Sequence, residues 1–260
     1  MIGALFAALG VVSGTIGINY SHELMHQKPK WERWLGDLLL AMVLYSHFRS
    51  EHLLVHHRYV ATPRDPVTAR YNEGFHRFYP RVLRQSLVSA FRAEAALQAR
   101  RGQPWYHRSN PFWRYAALQA GMLGLAVLLA GWAGLAFFLV QAGVAIWQLE
   151  LVNYIEHYGL LRQKMANGRY ERCQPYHSWN ANYIFSNIAL FHLERHSDHH
   201  ANPTRRYQSL RNFDGLPELP NGYYGMYMLA YIPWLWYKVM DKRVLELPHS
   251  NGDLGKVNID

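Results

Sequence analysis

From Tyr115 to Leu149 the chain carries no side chain that is charged at neutral pH. A helix of that length measures about 50 Å at roughly 1.5 Å per residue, too long for one bilayer crossing and a little short for two. Gly131 and Gly134 fall near its middle. With each arm extended toward Trp113 or Val152, the stretch is expected to fold as a membrane hairpin. No soluble core would tolerate it easily, so every other part of the 260 residues is read around it.

Residues 1–19 form a second charge-free segment, without the basic flank of a cleavable leader, and read as a spanning or half-spanning helix. Residues 35–48 are apolar for about a dozen positions and include Asp37, which suits an interfacial or re-entrant helix. Residues 223–240 are rich in Tyr and Trp around Pro233 and suit a membrane interface. From Arg58 to Arg114 the chain holds eleven arginines against Asp65, Glu73 and Glu94, which predicts a long cytoplasmic loop. The mean hydropathy of −0.21 is low for a multi-pass protein, and this polar portion accounts for it. No strand-like alternation or repeat is evident. The expected fold class is all-α: one domain over 1–260, a membrane helical part under a cytoplasmic cap.

Lys and Arg total 27 against 18 Asp and Glu, a net charge of +9, which points to an anionic partner. Cys173 is the single cysteine, so neither an internal disulfide nor a thiolate metal cluster can form within this sequence. The fifteen histidines are more informative, because they cluster. His22 and His26 stand one helical turn apart and can converge on one metal. His52, His56 and His57 repeat that pair with a neighbour turned by about 100°. His196, His199 and His200 follow the same logic, and His157 lies just after the hairpin. Nine neutral nitrogen ligands exceed one ion's needs, so two metals are implied, with iron, copper and zinc all compatible by ligand type. Such a site needs negative charge. Glu23, Glu51, Glu156, Glu194 and Asp198 lie beside the ligands in sequence and are each expected to accept the second ring N–H of a histidine from another cluster. His47, His76, His107, His177, His192 and His249 fall outside the spacing, with His47 and His192 the closest to a cluster.

These boxes, of the form HxxxH, HxxxHH and HxxHH, resemble those of the integral-membrane non-haem di-iron oxygenases. The stretches Asn153–Leu160 (NYIEHYGL) and Leu193–Leu210 (LERHSDHHANPTRRYQSL) are similar in particular to the bacterial alkane 1-monooxygenases, and the likeness runs from about His22 to Val244. The resemblance implies two iron ions held by the nine histidines, O2 as oxidant, and terminal hydroxylation of a medium-chain alkane to a 1-alkanol. It also implies electrons from rubredoxin with its reductase, and a multi-pass enzyme in the lipid of the bacterial inner membrane with its metals on the cytoplasmic side. Nucleic acid is not an expected partner. Arg195, Arg205 and Arg206 flank the third box and are the expected docking residues for the acidic donor. Two positions depart from the family's usual pattern: Gln27 stands where lysine is usual, and Val55 where glycine is usual. Members of the family usually run to about 400 residues, so the first membrane spans are expected to be absent from this sequence. The competing readings are a fatty-acyl desaturase or hydroxylase of the same superfamily and, from another class, a membrane metal-binding or transport protein. A transporter's ligands should sit near mid-bilayer rather than at the span ends.

Overall fold

The computed structural model describes residues 2–259; Met1 and Asp260, the two ends of the expected domain, lie outside the described residues. The described chain is helical, with isolated bridges at Lys164–Tyr170 and Asn180–Glu218 and no named strand among the described residues. Its helices are α1 Ile2–Val12, α2 Asn19–Met25, α3 Lys30–Ala41, α4 Phe48–Glu51, α5 His57–Tyr59, α6 Phe75–Arg100 and α7 Phe112–His157. Then follow α8 Ile184–Ala189, α9 His196–Ala201, α10 Tyr223–Ala230 and α11 Pro233–Glu246. Two compact units arise, one from residues 1–55 and 86–149, the other from residues 56–85 and 150–260.

In the first unit a π-helical stretch, Ser13–Ile18, joins α1 to α2, so the N-terminal apolar helix runs on to Met25 instead of stopping near residue 19. From Gly3 to Met25 it is long and apolar enough to cross a membrane. The same holds for α7, and none of that helix's most apolar stretch is buried by the protein itself. A soluble core helix would be covered. Leu128, Leu129 and Trp132 at its middle are exposed, as lipid-facing residues would be. The expected break is present: Ala130 and Gly131 leave helical geometry, with Gly131 at φ +60. The second arm folds back so closely that a Cβ on Gly134 would meet the carbonyl oxygen of Ala126.

Helix α1 packs on that second arm through small residues. Phe6 stacks on Phe137 at 4.7 Å. A Cβ on Gly10 would lie 2.6 Å from Val144 Cβ, and one on Gly14 would lie 3.2 Å from Ala145 Cα. This Gly-x-x-x-Gly spacing lets backbones approach where the hydrophobic effect offers no drive. Because contact positions rise together along both helices, they run in the same direction, and Met25 and Leu149 lie at one end of the unit.

Two expected boundaries shift in this unit. The apolar segment at 35–48 is a helix over Lys30–Ala41, ended by turns in which Leu44 takes φ +55. It remains too short to span. Asp37 is buried and takes Arg49 in two bonds of 2.6 and 2.7 Å and Arg114 at 2.9 Å. That pairing is why a charge is tolerated in an apolar run. The stretch expected as a basic loop between residues 58 and 114 contains helix α6 of 26 residues, which carries Pro80 within it.

The second unit has an aromatic core of Phe75, Phe78, Tyr154, Tyr158, Trp179 and Trp236, all buried. Three of them have their polar tips satisfied: Tyr154 donates to the carbonyl of Glu73 at 2.7 Å, Tyr158 to Asp241 at 2.6 Å, and Trp179 to the carbonyl of Tyr158 at 3.0 Å. Gly159 ends α7 at φ +71, where a Cβ would press on Val244; only glycine suits this turn. The aromatic segment at 223–240 is not one helix. It divides into α10 and α11, with Pro233 opening the latter, as a residue without an N–H prefers.

Candidate metal centre

The nine clustered histidines gather in both units. In the first, His22 stands on α2, His26 caps its C-terminus, and His52 opens a second π-helical turn, His52–His56. The ligand nitrogens of His22, His26 and His52 lie within 4.8 Å of one another. His52 Nε2 is 3.0 Å from His26 Nε2.

In the second unit His56, His157, His196 and His200 present nitrogens within 4.8 Å of one another. His196 Nε2 lies 3.1 Å from His157 Nε2 and 2.9 Å from His200 Nε2. Beside them, His57 Nε2 and His199 Nε2 face each other at 3.2 Å. The i,i+4 pair His52 and His56, expected to share an ion, is thus split between the two sets. The π-helical turn between them changes the angular step, so regular α-helical spacing no longer describes where the rings point.

The backs of the rings decide which nitrogen holds the proton. His157 Nδ1 donates to the carbonyl of His177 at 3.2 Å. A carbonyl only accepts, so Nδ1 bears the hydrogen and Nε2 is a bare lone pair in the neutral ring. His56 Nδ1 bonds Asp65 at 2.9 Å and His196 Nδ1 faces Glu156 at 3.3 Å, which favours the same tautomer in both. Burial, followed by the neighbouring imidazoles His196, His57, His56 and His157, drives the pKa of His200 well below the ordinary histidine value. Lone pairs aimed at one another at about 3 Å repel unless a cation stands between them. A metal–imidazole bond of about 2.1 Å places two nitrogens at right angles about 3.0 Å apart. The observed spacings match, so the donor sets fit a metal in each unit.

The expected acids divide. Glu156, buried, faces His196 and accepts from Tyr223 Oη at 2.9 Å. Glu51 is fully buried one residue before His52. Glu23 accepts from Gln27 at 3.0 Å, so the departure at Gln27 forms a neutral bridge where a lysine would place a charge. Glu194 instead anchors the start of α10 by accepting from the Tyr223 amide at 2.7 Å, and it accepts from Asn187 at 3.1 Å. Asp198 takes Arg205 at 2.6 Å and Arg211 at 3.0 Å. Burial pushes its pKa up, but the bonds from Arg211 and Arg205 outweigh that and hold it below the usual value. Both acids brace the fold around α9, with partners set by how the flanking loops fold back.

Asp65, in sequence one acid of a basic stretch, lies directly behind His56. Thr68 Oγ1 donates to the same oxygen at 2.7 Å, and the other oxygen accepts the Val67 amide. A hint was its place among turn formers nine residues after His56, but the contact itself is tertiary. Of the expected docking arginines, Arg205 is held by Asp198, and Arg195 donates to the carbonyl of Leu210 at 2.6 Å and to Asn182. Arg206 is exposed. Among the remaining histidines, His192 Nδ1 bonds the carbonyl of Tyr207 and His76 that of Tyr231, and His177 and His249 pack around Tyr176.

A helical chain with two helices apolar enough to cross a bilayer, and imidazole nitrogens converging in two sets, has the make-up of a histidine-rich metalloprotein of membranes. The chain belongs to the fatty acid desaturase family, whose sequence model matches residues 1–231. It is 46% identical over 259 residues to an alkane 1-monooxygenase of Ectopseudomonas oleovorans, covering 100% of this chain and 64% of that protein. It is 48% identical over 238 residues to alkane 1-monooxygenase 2 of Pseudomonas aeruginosa, covering 91% and 63%. Identity to alkane 1-monooxygenase 1 of Alcanivorax borkumensis is 44% over 256 residues, covering 98% and 63%. The chain therefore spans a little under two thirds of the length of these relatives.

Proposed function

We propose that residues 1–260 form an oxygenase domain that hydroxylates the terminal carbon of medium-chain alkanes, with two iron ions held by the nine histidines. The observation that carries this reading is the convergence of imidazole nitrogens at 2.9–3.1 Å in the second unit, in a chain similar to proteins named alkane 1-monooxygenases. Bound iron would supply the O2 chemistry that a strong terminal C–H bond requires. The chain's own residues do the rest. Asp65, the His177 carbonyl and Glu156 hold His56, His157 and His196 by their far nitrogens, which fixes ring orientation before any ion arrives. Asp65 and Glu156 place buried carboxyl groups against His56 and His196, and Glu51 is buried beside His52 in the chain. His56, His157 and His196 are themselves buried, which limits the access of water to their nitrogens.

Leu24 and Met25 are buried core residues and Phe137 stacks on Phe6, so these three apolar side chains act in packing. Electrons would come from rubredoxin, itself reduced by its reductase, at the cytoplasmic face of a bacterial inner membrane. The test is conversion of n-octane by membranes holding the chain, with products separated by gas chromatography. Terminal alcohol supports the reading. A double bond introduced into an acyl chain, with no alcohol formed from octane, refutes it in favour of a desaturase.

A further inference from the structure

The second unit holds a half-open cleft of about 760 Å³ lined by Arg58, Tyr59, Arg64, Arg162, Lys164, Gly168, Arg169 and Tyr170. Five of the eight are cationic and none is acidic. Arg162 is buried and occupied: its guanidinium donates to the carbonyls of Arg58 at 3.0 Å and Glu171 at 2.8 Å, and its amide to Ala61 at 2.7 Å. It fastens the loop that follows His57 to the segment after α7. The other four cations stay at the rim. Arg58 and Arg64 lie over the Tyr59 ring at 5.2 and 5.8 Å, and Lys164 over Tyr170 at 5.6 Å. A tight turn fixes the far wall, with the Gly168 amide on the Met165 carbonyl and the Met165 amide on the Arg169 carbonyl. The cations are therefore presented by a built surface and not by a loose tail.

We propose that this cleft receives a small acidic electron-carrier protein. Resting on the oxygenase reading above, the assignment follows from three facts. That chemistry consumes electrons, and a chain with one cysteine has no thiolate-held cluster of its own to store them. Arg58 directly follows His57, so a carrier seated here stands against the backbone that bears His56 and His57. The arginines around α9 are already bonded within the fold, as described for Arg195 and Arg205. A surface with four unneutralised cations and no lining carboxylate attracts carboxylates over a Debye length of about 8 Å at physiological salt.

Binding is measured between the full chain in neutral-lipid nanodiscs and immobilised oxidised rubredoxin, across a salt series, which needs no turnover. The double variant Arg64→Glu plus Arg169→Glu should weaken binding about tenfold or more and flatten the salt dependence, and the milder Arg64→Gln plus Arg169→Gln should fall between. Arg205→Glu should leave binding within about twofold. Unchanged affinity in both double variants overturns the proposal, as does loss confined to Arg205→Glu. So does retained rubredoxin binding with loss of copurifying anionic phospholipid, which would make the cleft a lipid seat. Octane turnover with a small-molecule reductant, run in parallel on the wild type, reports on the oxygenase reading alone: rubredoxin binding without product sinks that reading, and product together with rubredoxin binding that neither double variant weakens sinks this one.

Discussion

Replacing Asp65 with Asn isolates what holds His56 in place. Asp65 Oδ2 takes the His56 Nδ1 proton at 2.9 Å inside a buried pocket. An amide there can present its NH2 to the ring, which moves the ring proton to Nε2 and removes that nitrogen as a donor to a cation. A hydrogen bond to a charged group contributes about 1.5–3 kcal/mol, and 1.4 kcal/mol is about tenfold in affinity, so the variant should bind metal roughly 10–100-fold more weakly. The assay is competition between the chain and a chromophoric chelator for Co2+, with thermal unfolding as a check on fold. Thr68→Val removes another bond to the same carboxylate, at 2.7 Å, together with the one its hydroxyl accepts from the Ala61 amide, without touching His56, and should cost less than about threefold in metal affinity. Equal Co2+ affinity in wild type and Asp65→Asn would refute the reasoning.

Alanine at His52, His157 or His199 should each deplete metal without preventing membrane insertion; wild-type metal content in any variant removes that residue from the ligand set. Glu156→Gln should lower metal affinity about 10–100-fold, whereas Asp198→Asn should chiefly destabilise the segment bonded to Arg205 and Arg211, by about 1–3 kcal/mol, seen as a lower melting temperature. Gly10→Ala should lower the melting temperature in detergent, since its Cβ would lie 2.6 Å from Val144 Cβ; an unchanged melt would show that the helices do not meet there. Burial pulls the His47 pKa down to about 4, below its unfolded value of about 6.5. The unfolded chain therefore binds the proton first, and as pH falls from 6.5 to 4 up to about 3 kcal/mol of stability is lost. His47→Gln should flatten that slope, and an unchanged slope would assign the acid sensitivity elsewhere.

What could be read ahead of the structure followed from local rules. The charge-free run with Gly131 at its centre gave the hairpin, and four-residue spacing gave the pairs His22 with His26 and His196 with His200. What could not be read depends on contacts between distant residues or on departures from α-helical geometry. Helix α6 was obscured by its arginines and Pro80, because its apolar face is paired only in three dimensions. The separation of His52 from His56 needed the π-helical turn. Asp65 and Asp198 exchanged expected roles, since a carboxylate's partner is set by how loops fold back and not by its neighbour in sequence.

Metal counting tests the account most directly. The purified chain, loaded anaerobically with Fe2+ and freed of excess, is analysed for iron per protein beside His157→Ala. Two irons in the wild type, falling to one when His157 is removed from the second unit's set while His22, His26 and His52 remain, is the predicted result. A wild type that retains no iron or only one, or a His157→Ala variant that still holds two, would contradict it.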